Sequence, residues 1–147
     1  MWPLRLGLDS TLDNTLVLSF VEQTRVLTLT GEEVEETEIP GFVAEQQTFY
    51  TGNTDTGHIV QVTPGSVRLV SPATSECLHT WSPPADKLIS VCGCNASQVL
   101  VASGSILFYI EISKEGQFYF SLNLRLYLKG KIQTLKPPKY EKPMQNS

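Results

Sequence analysis

The stretch NTLVLSFVEQTRVLTLTGEEVEETEI, residues 14–39, contains three short runs rich in Val, Leu, Thr and Glu, separated by polar residues and by Gly31. Large apolar and β-branched residues in runs of this length favour strands. A glycine between two such runs is typical of a hairpin turn. The stretch therefore predicts three consecutive strands.

The same order of strands returns twice further along the chain. LVLSF, IVQVT and VLVAS begin at Leu16, Ile59 and Val99, spacings of 43 and 40 residues. The next runs, TRVLTL, GSVRLV and GSILFY, are 41 and 39 residues apart. A third set follows (GEEVEETEI, TSECLHTW and, more loosely, KEGQFYFSL), and a fourth precedes two of the units (GFVAEQQTFYTGN and DKLISVCGCN). Four strands per unit at a period near 40 residues are typical of β-propeller blades.

This repeat predicts an all-β fold, a partial β-propeller of about three four-stranded blades over residues 1–117. Closing a propeller takes at least four blades, so we expect unpaired strand edges at both ends of this arrangement.

Charge changes sign along the chain. Residues 1–117 hold five Lys or Arg and fourteen Asp or Glu, a net charge of −9; residues 118–147 hold six basic residues and one acidic residue, a net charge of +5. The acidic body disfavours broad nucleic-acid binding through phosphate contacts. Prolines interrupt the Lys-rich end, which predicts a divergent, largely disordered basic tail over residues 118–147.

Composition narrows the class of protein. Hydrophobic residues make up 41% of the chain and charged residues 18%, as in soluble globular proteins. No apolar run is long enough to span a bilayer, and the first residues lack the apolar core of a signal peptide. We therefore expect no membrane association and reduced cysteines.

Several segments resemble the DNA damage-binding protein 1 family: MWPLR, TLVLSFVEQTRVLTLTGEEVEETEIPGF, QQTFYTGN, SVRLVS and NASQVLVA. The resemblance runs from about Trp2 to about Gly116 and implies the start of the second of three propellers, the one implied to dock a cullin. The family's first propeller precedes this region, and the sequence after about Gln117 departs from the family's. We therefore expect a truncated or aberrant form of the longer protein.

Members of this family are large adaptor subunits of Cullin-4 ubiquitin ligases. The resemblance implies a non-enzymatic interaction scaffold for DNA damage recognition, repair and substrate ubiquitination. Implied partners are Cullin-4 and substrate-receptor proteins, with nucleic acid reached through the complex and no small-molecule substrate. The implied location is the nucleus, with the cytoplasm as a second compartment. The alternative is a nucleic-acid-binding propeller segment of a related cleavage and polyadenylation factor or splicing factor.

The glutamates of residues 32–38 are the first candidate site. Alternation places Glu33 and Glu35 on one face of the predicted outermost strand of the first blade, and Glu36 and Glu38 on the other. A metal site or an acid/base pair would need further ligands or a pocket that the sequence does not indicate. We predict a solvated strand edge.

Cysteines and histidines give the other candidates. CGC, with Cys92 and Cys94, lacks zinc-ligand spacing and is predicted to be a pair of small buried side chains in an inner strand. His58 and His79 have no nucleophile at motif spacing. NAS, residues 95–97, is predicted to be a turn. The sequence thus predicts no catalytic, cofactor-binding or metal-binding residues.

Overall fold

The computed structural model describes residues 1–7 and 11–125, except for the side chains of Ala85 and residues 119–125. These residues form three four-stranded antiparallel sheets, each a meander of consecutive strands. The first sheet consists of β1 (Trp2–Leu4), β2 (Thr15–Ser19), β3 (Thr24–Thr30) and β4 (Glu33–Thr37). The second consists of β5 (Tyr50–Asn53), β6 (Ile59–Val62), β7 (Val67–Val70) and β8 (Cys77–Trp81). The third consists of β9 (Ile89–Cys94), β10 (Gln98–Ser103), β11 (Ile106–Ile112) and β12 (Phe118–Arg125).

This architecture confirms the prediction of an all-β fold with about three four-stranded blades. Each sheet corresponds to one sequence unit. A strand precedes all three units, whereas the sequence indicated one before only two of them. In the first unit that strand is β1, which has three residues with Pro3 in the middle. Proline is tolerated there because β1 lies at the edge of its sheet.

The middle sheet is buried on both faces, because a neighbouring sheet packs on each side. All four residues of β6 are buried. Ile59 belongs to a core shared with the first sheet, which includes Leu4 and Val17. Val60 belongs to a second core shared with the third sheet, which includes Phe108. We call these the first and second interface cores. Each fully buried aliphatic side chain in them stabilises the fold by about 1.5–3 kcal/mol.

The first strands of the three sheets lie next to one another. The Asn53 side chain in β5 accepts a hydrogen bond from the Arg5 backbone N–H, directly after β1, at 2.9 Å, and donates one to the Arg5 carbonyl at 3.1 Å. The backbone N–H of Asp55, just after β5, donates to the carbonyl of Ala96, just after β9. The first strands, β1, β5 and β9, therefore lie side by side in the order of their sheets, as the inner strands of propeller blades do.

A buried polar cluster joins the first two sheets. The Gln61 side chain, with no exposed surface, accepts from the Val43 N–H at 2.9 Å and donates to the Val43 carbonyl at 3.1 Å. It also donates to Thr48 Oγ1 at 3.0 Å, and Thr48 Oγ1 lies 2.6 Å from Thr24 Oγ1. Because buried polar groups are costly without partners, these bonds fix the segment between β4 and β5 against the first sheet.

The predicted boundary after residue 117 needs correction. β12 begins at Phe118 and pairs with β11 as far as Arg125, so the third sheet crosses that boundary. The change of charge near residue 118 does not end the sheet, because FYFSLNLR is rich in aromatic and apolar residues that suit a strand. The remaining part of the predicted disordered tail, residues 126–147, lies outside the described residues.

Candidate interaction surfaces

The glutamate-rich stretch lies at the outer edge of the first sheet. β4 pairs with β3 alone, and Glu33, Glu35 and Glu36 are exposed. Arg25 Nε and Glu36 Oε1 lie 3.6 Å apart, with more than half of each side chain exposed, so this ion pair contributes little to stability. Charged side chains on an edge strand discourage pairing with another chain. The glutamates thus lie on the outermost strand of the first sheet, as predicted.

A polar cleft of about 400 Å³ lies beside this edge, between the outer strands and the segment that leads to the second sheet. Its walls carry three carboxylates and one guanidinium, those of Glu36, Glu38, Glu45 and Arg25. The excess of negative charge suits a polar or basic segment of a partner protein better than an apolar one.

The outer face of the first sheet, which points away from the second sheet, is apolar. Leu16, Leu27, Leu29 and Val34 line a shallow groove of about 220 Å³ there, with Pro3 at one side. Leu29 is 56% exposed and Val34 is 60% exposed. Aliphatic side chains this exposed, grouped on one face, mark a surface suited to packing against another protein element.

The third sheet has a comparable face on its far side. Val91 is 62% exposed and Leu100 is 36% exposed. Register places them on one face, since Leu100 pairs with Gly93 and Val91 pairs with Ala102. The two end sheets thus each expose apolar side chains on the face opposite to the middle sheet. We call these faces the end faces.

The sequence contains a signal for the end faces that the predictions above do not use. β2 and β3 carry apolar residues at successive positions, such as Leu16, Val17 and Leu18, instead of alternating with polar ones. Strands with near-continuous apolar runs are typical of sheets covered on both faces.

The two histidines are held within the fold. Thr56 Oγ1 lies 2.8 Å from His58 Nδ1, and burial lowers the pKa of His58. His79 is 5% exposed; its Nδ1 accepts the backbone N–H of Phe118 at 3.2 Å, and burial lowers the pKa of the imidazole. The His79 ring therefore joins β8 to the start of β12, whereas the hydrogen bond of His58 stays within the turn between β5 and β6.

The cysteines are free thiols. Cys92 and Cys94 lie in β9, an inner strand as predicted, but they are half-buried and not fully buried. Cys77 lies in β8, where its Sγ is 3.1 Å from Thr80 Oγ1. Within residues 1–7 and 11–125 no three His, Cys, Asp or Glu side chains are placed to hold a metal ion. In the same residues, no helix has the length and hydropathy required to cross a bilayer.

NAS forms the turn between β9 and β10. The Asn95 carboxamide oxygen accepts backbone N–H bonds from Ser97 at 2.9 Å and Gln98 at 2.8 Å. Such side-chain bonds to the following backbone are characteristic of turns and confirm the predicted local structure.

The amino-acid sequence is similar to those of known proteins. The DNA damage-binding protein 1 of Drosophila melanogaster is 55% identical over 113 residues, which is 76% of this chain and 10% of that protein. DNA damage-binding protein 1b of Arabidopsis thaliana is 46% identical over 114 residues, again 76% of this chain and 10% of the relative. The chain therefore spans about a tenth of the length of these relatives. The solved structure of Kluyvelomyces marxianus Hsv2 has a TM-score of 0.45 and 10% identity, over 77% of this chain and 36% of that one, which is too distant to add to the assignment.

A family model, the RSE1/DDB1/CPSF1 second beta-propeller, matches residues 1–136. The match covers all three described sheets, and both relatives carry DNA damage-binding protein 1 names. The chain belongs to the RSE1/DDB1/CPSF1 second beta-propeller family and is a DNA damage-binding protein 1-like propeller segment.

Proposed function

We propose that this chain is a non-enzymatic interaction scaffold, a propeller segment of a Cullin-4 ubiquitin-ligase adaptor that serves DNA damage repair and substrate ubiquitination in the nucleus. The observation that carries the proposal is the 55% identity to Drosophila DNA damage-binding protein 1 over 113 residues. The proposed partners are Cullin-4 and substrate-receptor proteins, with nucleic acid reached through the assembled complex.

The arrangement of surfaces supports a scaffold. The exposed carboxylates between Glu33 and Glu45 lie on an open strand edge or in an open cleft, and both histidines are held by hydrogen bonds within the fold. Catalysis by general acid/base groups would require them to converge on an enclosed site with matched pKa values. In the described residues, the acidic strand edge, the polar cleft and the end faces are open surfaces that suit protein contacts.

The end faces are proposed to pack against further blades of a longer propeller. The described part of the chain has three sheets, and even the smallest propellers have four. Such blades would bury the exposed side chains of the end faces, Leu29 and Val34 at one end and Val91 and Leu100 at the other. The neighbouring sheets already bury the residues of the middle sheet in this way. The acidic edge and the polar cleft would then remain for partner proteins.

A related RNA-processing factor is the less favoured alternative. It would be expected to present a basic surface for phosphate contacts, whereas residues 1–117 carry a net charge of −9 from five basic and fourteen acidic residues. The identity to two DNA damage-binding proteins also favours the adaptor.

Binding of purified 1–147 to the amino-terminal domain of Cullin-4, measured by biolayer interferometry, tests the proposal. Full-length Drosophila DNA damage-binding protein 1 is the positive control. We expect measurable but weaker binding by 1–147, because the segment supplies only part of one propeller.

Two variants separate loss of fold from loss of the contact. Leu69→Asp places a charge in the fully buried second interface core and should abolish both folding and binding. Val21→Asp changes a side chain that is 84% exposed and should preserve both. The proposal would be contradicted if the wild-type chain unfolded in a cooperative β-type transition and yet did not bind the Cullin-4 domain.

A further inference from the structure

Cys92 and Cys94 form a pair of thiols on one side of β9. Cys92 pairs with Val101 and Cys94 pairs with Val99, and both valines are fully buried. Residues opposite each other in adjacent strands share a face, so both cysteines point into the second interface core. Both thiols are half-buried, so they remain partly accessible at the border of this core.

Tyr50 of the middle sheet contributes to the same cluster. It packs against the second interface core together with both cysteines. The phenol and the two thiols therefore border one core, although they come from two different sheets.

Strand geometry argues against a disulfide in this pair. Residues i and i+2 of a strand have Cα atoms about 6.6–6.8 Å apart, the upper limit for a disulfide, and their side chains run parallel. A linear sulfur–metal–sulfur unit suits this spacing better, since two bonds near the zinc–sulfur length of about 2.3 Å separate the sulfurs by about 4.6 Å. Zinc would need two further ligands, and the described residues offer no group of three or more His, Cys, Asp or Glu for it.

We propose that Cys92 and Cys94 bind Cu(I) as a two-coordinate bis-thiolate at the inner edge of the interface between the second and third sheets. Thiolates select soft ions such as Cu(I). Binding forms two copper–sulfur bonds and releases the two thiol protons to solvent, with no change in oxidation state of copper or sulfur.

Anaerobic titration of reduced 1–147 with Cu(I), in competition with a chromophoric Cu(I) chelator, tests the proposal. We expect one Cu(I) per chain. Cys92→Ser and Cys94→Ser should each weaken binding by about 100-fold or more, beyond the loss typical of groups that only support a ligand. Cys77→Ser is the matched control, since Cys77 lies in β8 of the middle sheet, and it should leave the affinity unchanged.

A measurement on wild-type chain guards against variants that fail to fold. Cu(I) should protect Cys92 and Cys94, but not Cys77, from alkylation by iodoacetamide, as read by peptide mass spectrometry. X-ray absorption should show two sulfur ligands. The proposal would be overturned if Cu(I) protected all three cysteines equally, or if Cys77→Ser weakened binding as much as the other two substitutions. Absence of a one-to-one complex would also overturn it.

Discussion

At the scale of single residues, His79 shows how one buried side chain joins two sheets. It lies in β8, and its ring stacks on that of Phe118 at the start of β12, with centroids 4.8 Å apart and an interplanar angle of 27°. Its Nδ1 accepts the Phe118 backbone N–H at 3.2 Å, which requires an unprotonated Nδ1. Protonation of the ring would turn this acceptor into a donor and place a charge in a buried position.

This contact predicts that the chain loses stability in mild acid. The pKa of His79 is lowered in the folded state, so the unfolded chain, with an ordinary value of about 6.5, binds the proton more readily. The contribution of the neutral His79 ring to the free energy of unfolding is complete above a pH of about 6.5. It is lost as the pH falls from there towards the pKa of the folded state. The pKa of His58 is also lowered by burial, so its effect has the same sign.

Urea unfolding at pH 7.5 and pH 5.5 measures this effect. The wild-type free energy of unfolding should be smaller at pH 5.5. The drop should shrink in His79→Gln and shrink further when His58→Gln is added, since these are the two histidines of the chain. A wild-type free energy that stays constant or rises on acidification would show that the account of His79 is wrong.

Cys92, Cys94 and Tyr50 mark the limit of sequence reasoning at this scale. The repeat of strand-like runs placed the cysteines in an inner strand, because their position within a unit is a local property. Tyr50 lies more than 40 residues earlier, and only the stacking of two sheets brings it to the same core. Such a contact has no signature in local sequence.

At the scale of elements, the strands themselves follow from composition and turn residues. Runs of β-branched and apolar residues, with Gly31 and its counterparts between them, allowed most of the strands to be predicted. β1 was not recognised in advance, because three residues around Pro3 show no alternation. The third sheet continues past the predicted boundary at residue 117, because β12 depends on backbone pairing with β11 and not on net charge.

The hairpin between β3 and β4 predicts a specific role for Gly31. Thr30 pairs with Glu33, so the turn has two residues, and Gly31 has φ of +66° at the first of them. An L-residue is disfavoured in this region, so Gly31→Ala should lower the free energy of unfolding by about 1–2 kcal/mol. Urea unfolding measures the change.

Gly93→Ala is the matched control for this prediction. Gly93 lies within a strand, its φ is not positive, and open space surrounds the position of an added methyl group. It should change stability by no more than about 0.5 kcal/mol. Equal effects of the two substitutions would mean that the turn conformation does not explain Gly31.

At the scale of the whole molecule, the middle sheet is the part that both neighbours depend on. Its residues supply one side of the first interface core and one side of the second. In repeat folds, stability comes largely from such interfaces between units. The repeat in the sequence predicted the number of sheets, but the extent of burial on the middle sheet emerges only from their packing.

Matched substitutions in the two cores should therefore weaken one common transition. Ile59 in the first core and Ile110 in the second are both fully buried. Ile59→Val and Ile110→Val should each lower the free energy of unfolding by about 0.5–1.5 kcal/mol. Val91→Ala, at a position that is 62% exposed, should change it by less than about 0.5 kcal/mol. A core substitution without effect would place that residue outside the cooperative unit.

The two tryptophans report on the two interfaces that make the three sheets one cooperative unit. Trp2 packs against the first interface core, and Trp81 lies in the second, 5.0 Å from the Phe108 ring between centroids. Trp2→Phe and Trp81→Phe each leave a single tryptophan that reports on one interface. We would follow the urea unfolding of each variant by tryptophan fluorescence and by far-ultraviolet circular dichroism. If the three sheets unfold together, each variant should show one cooperative transition with coincident midpoints for the two probes. A sloping trace, or fluorescence and circular-dichroism midpoints that separate in either variant, would contradict it.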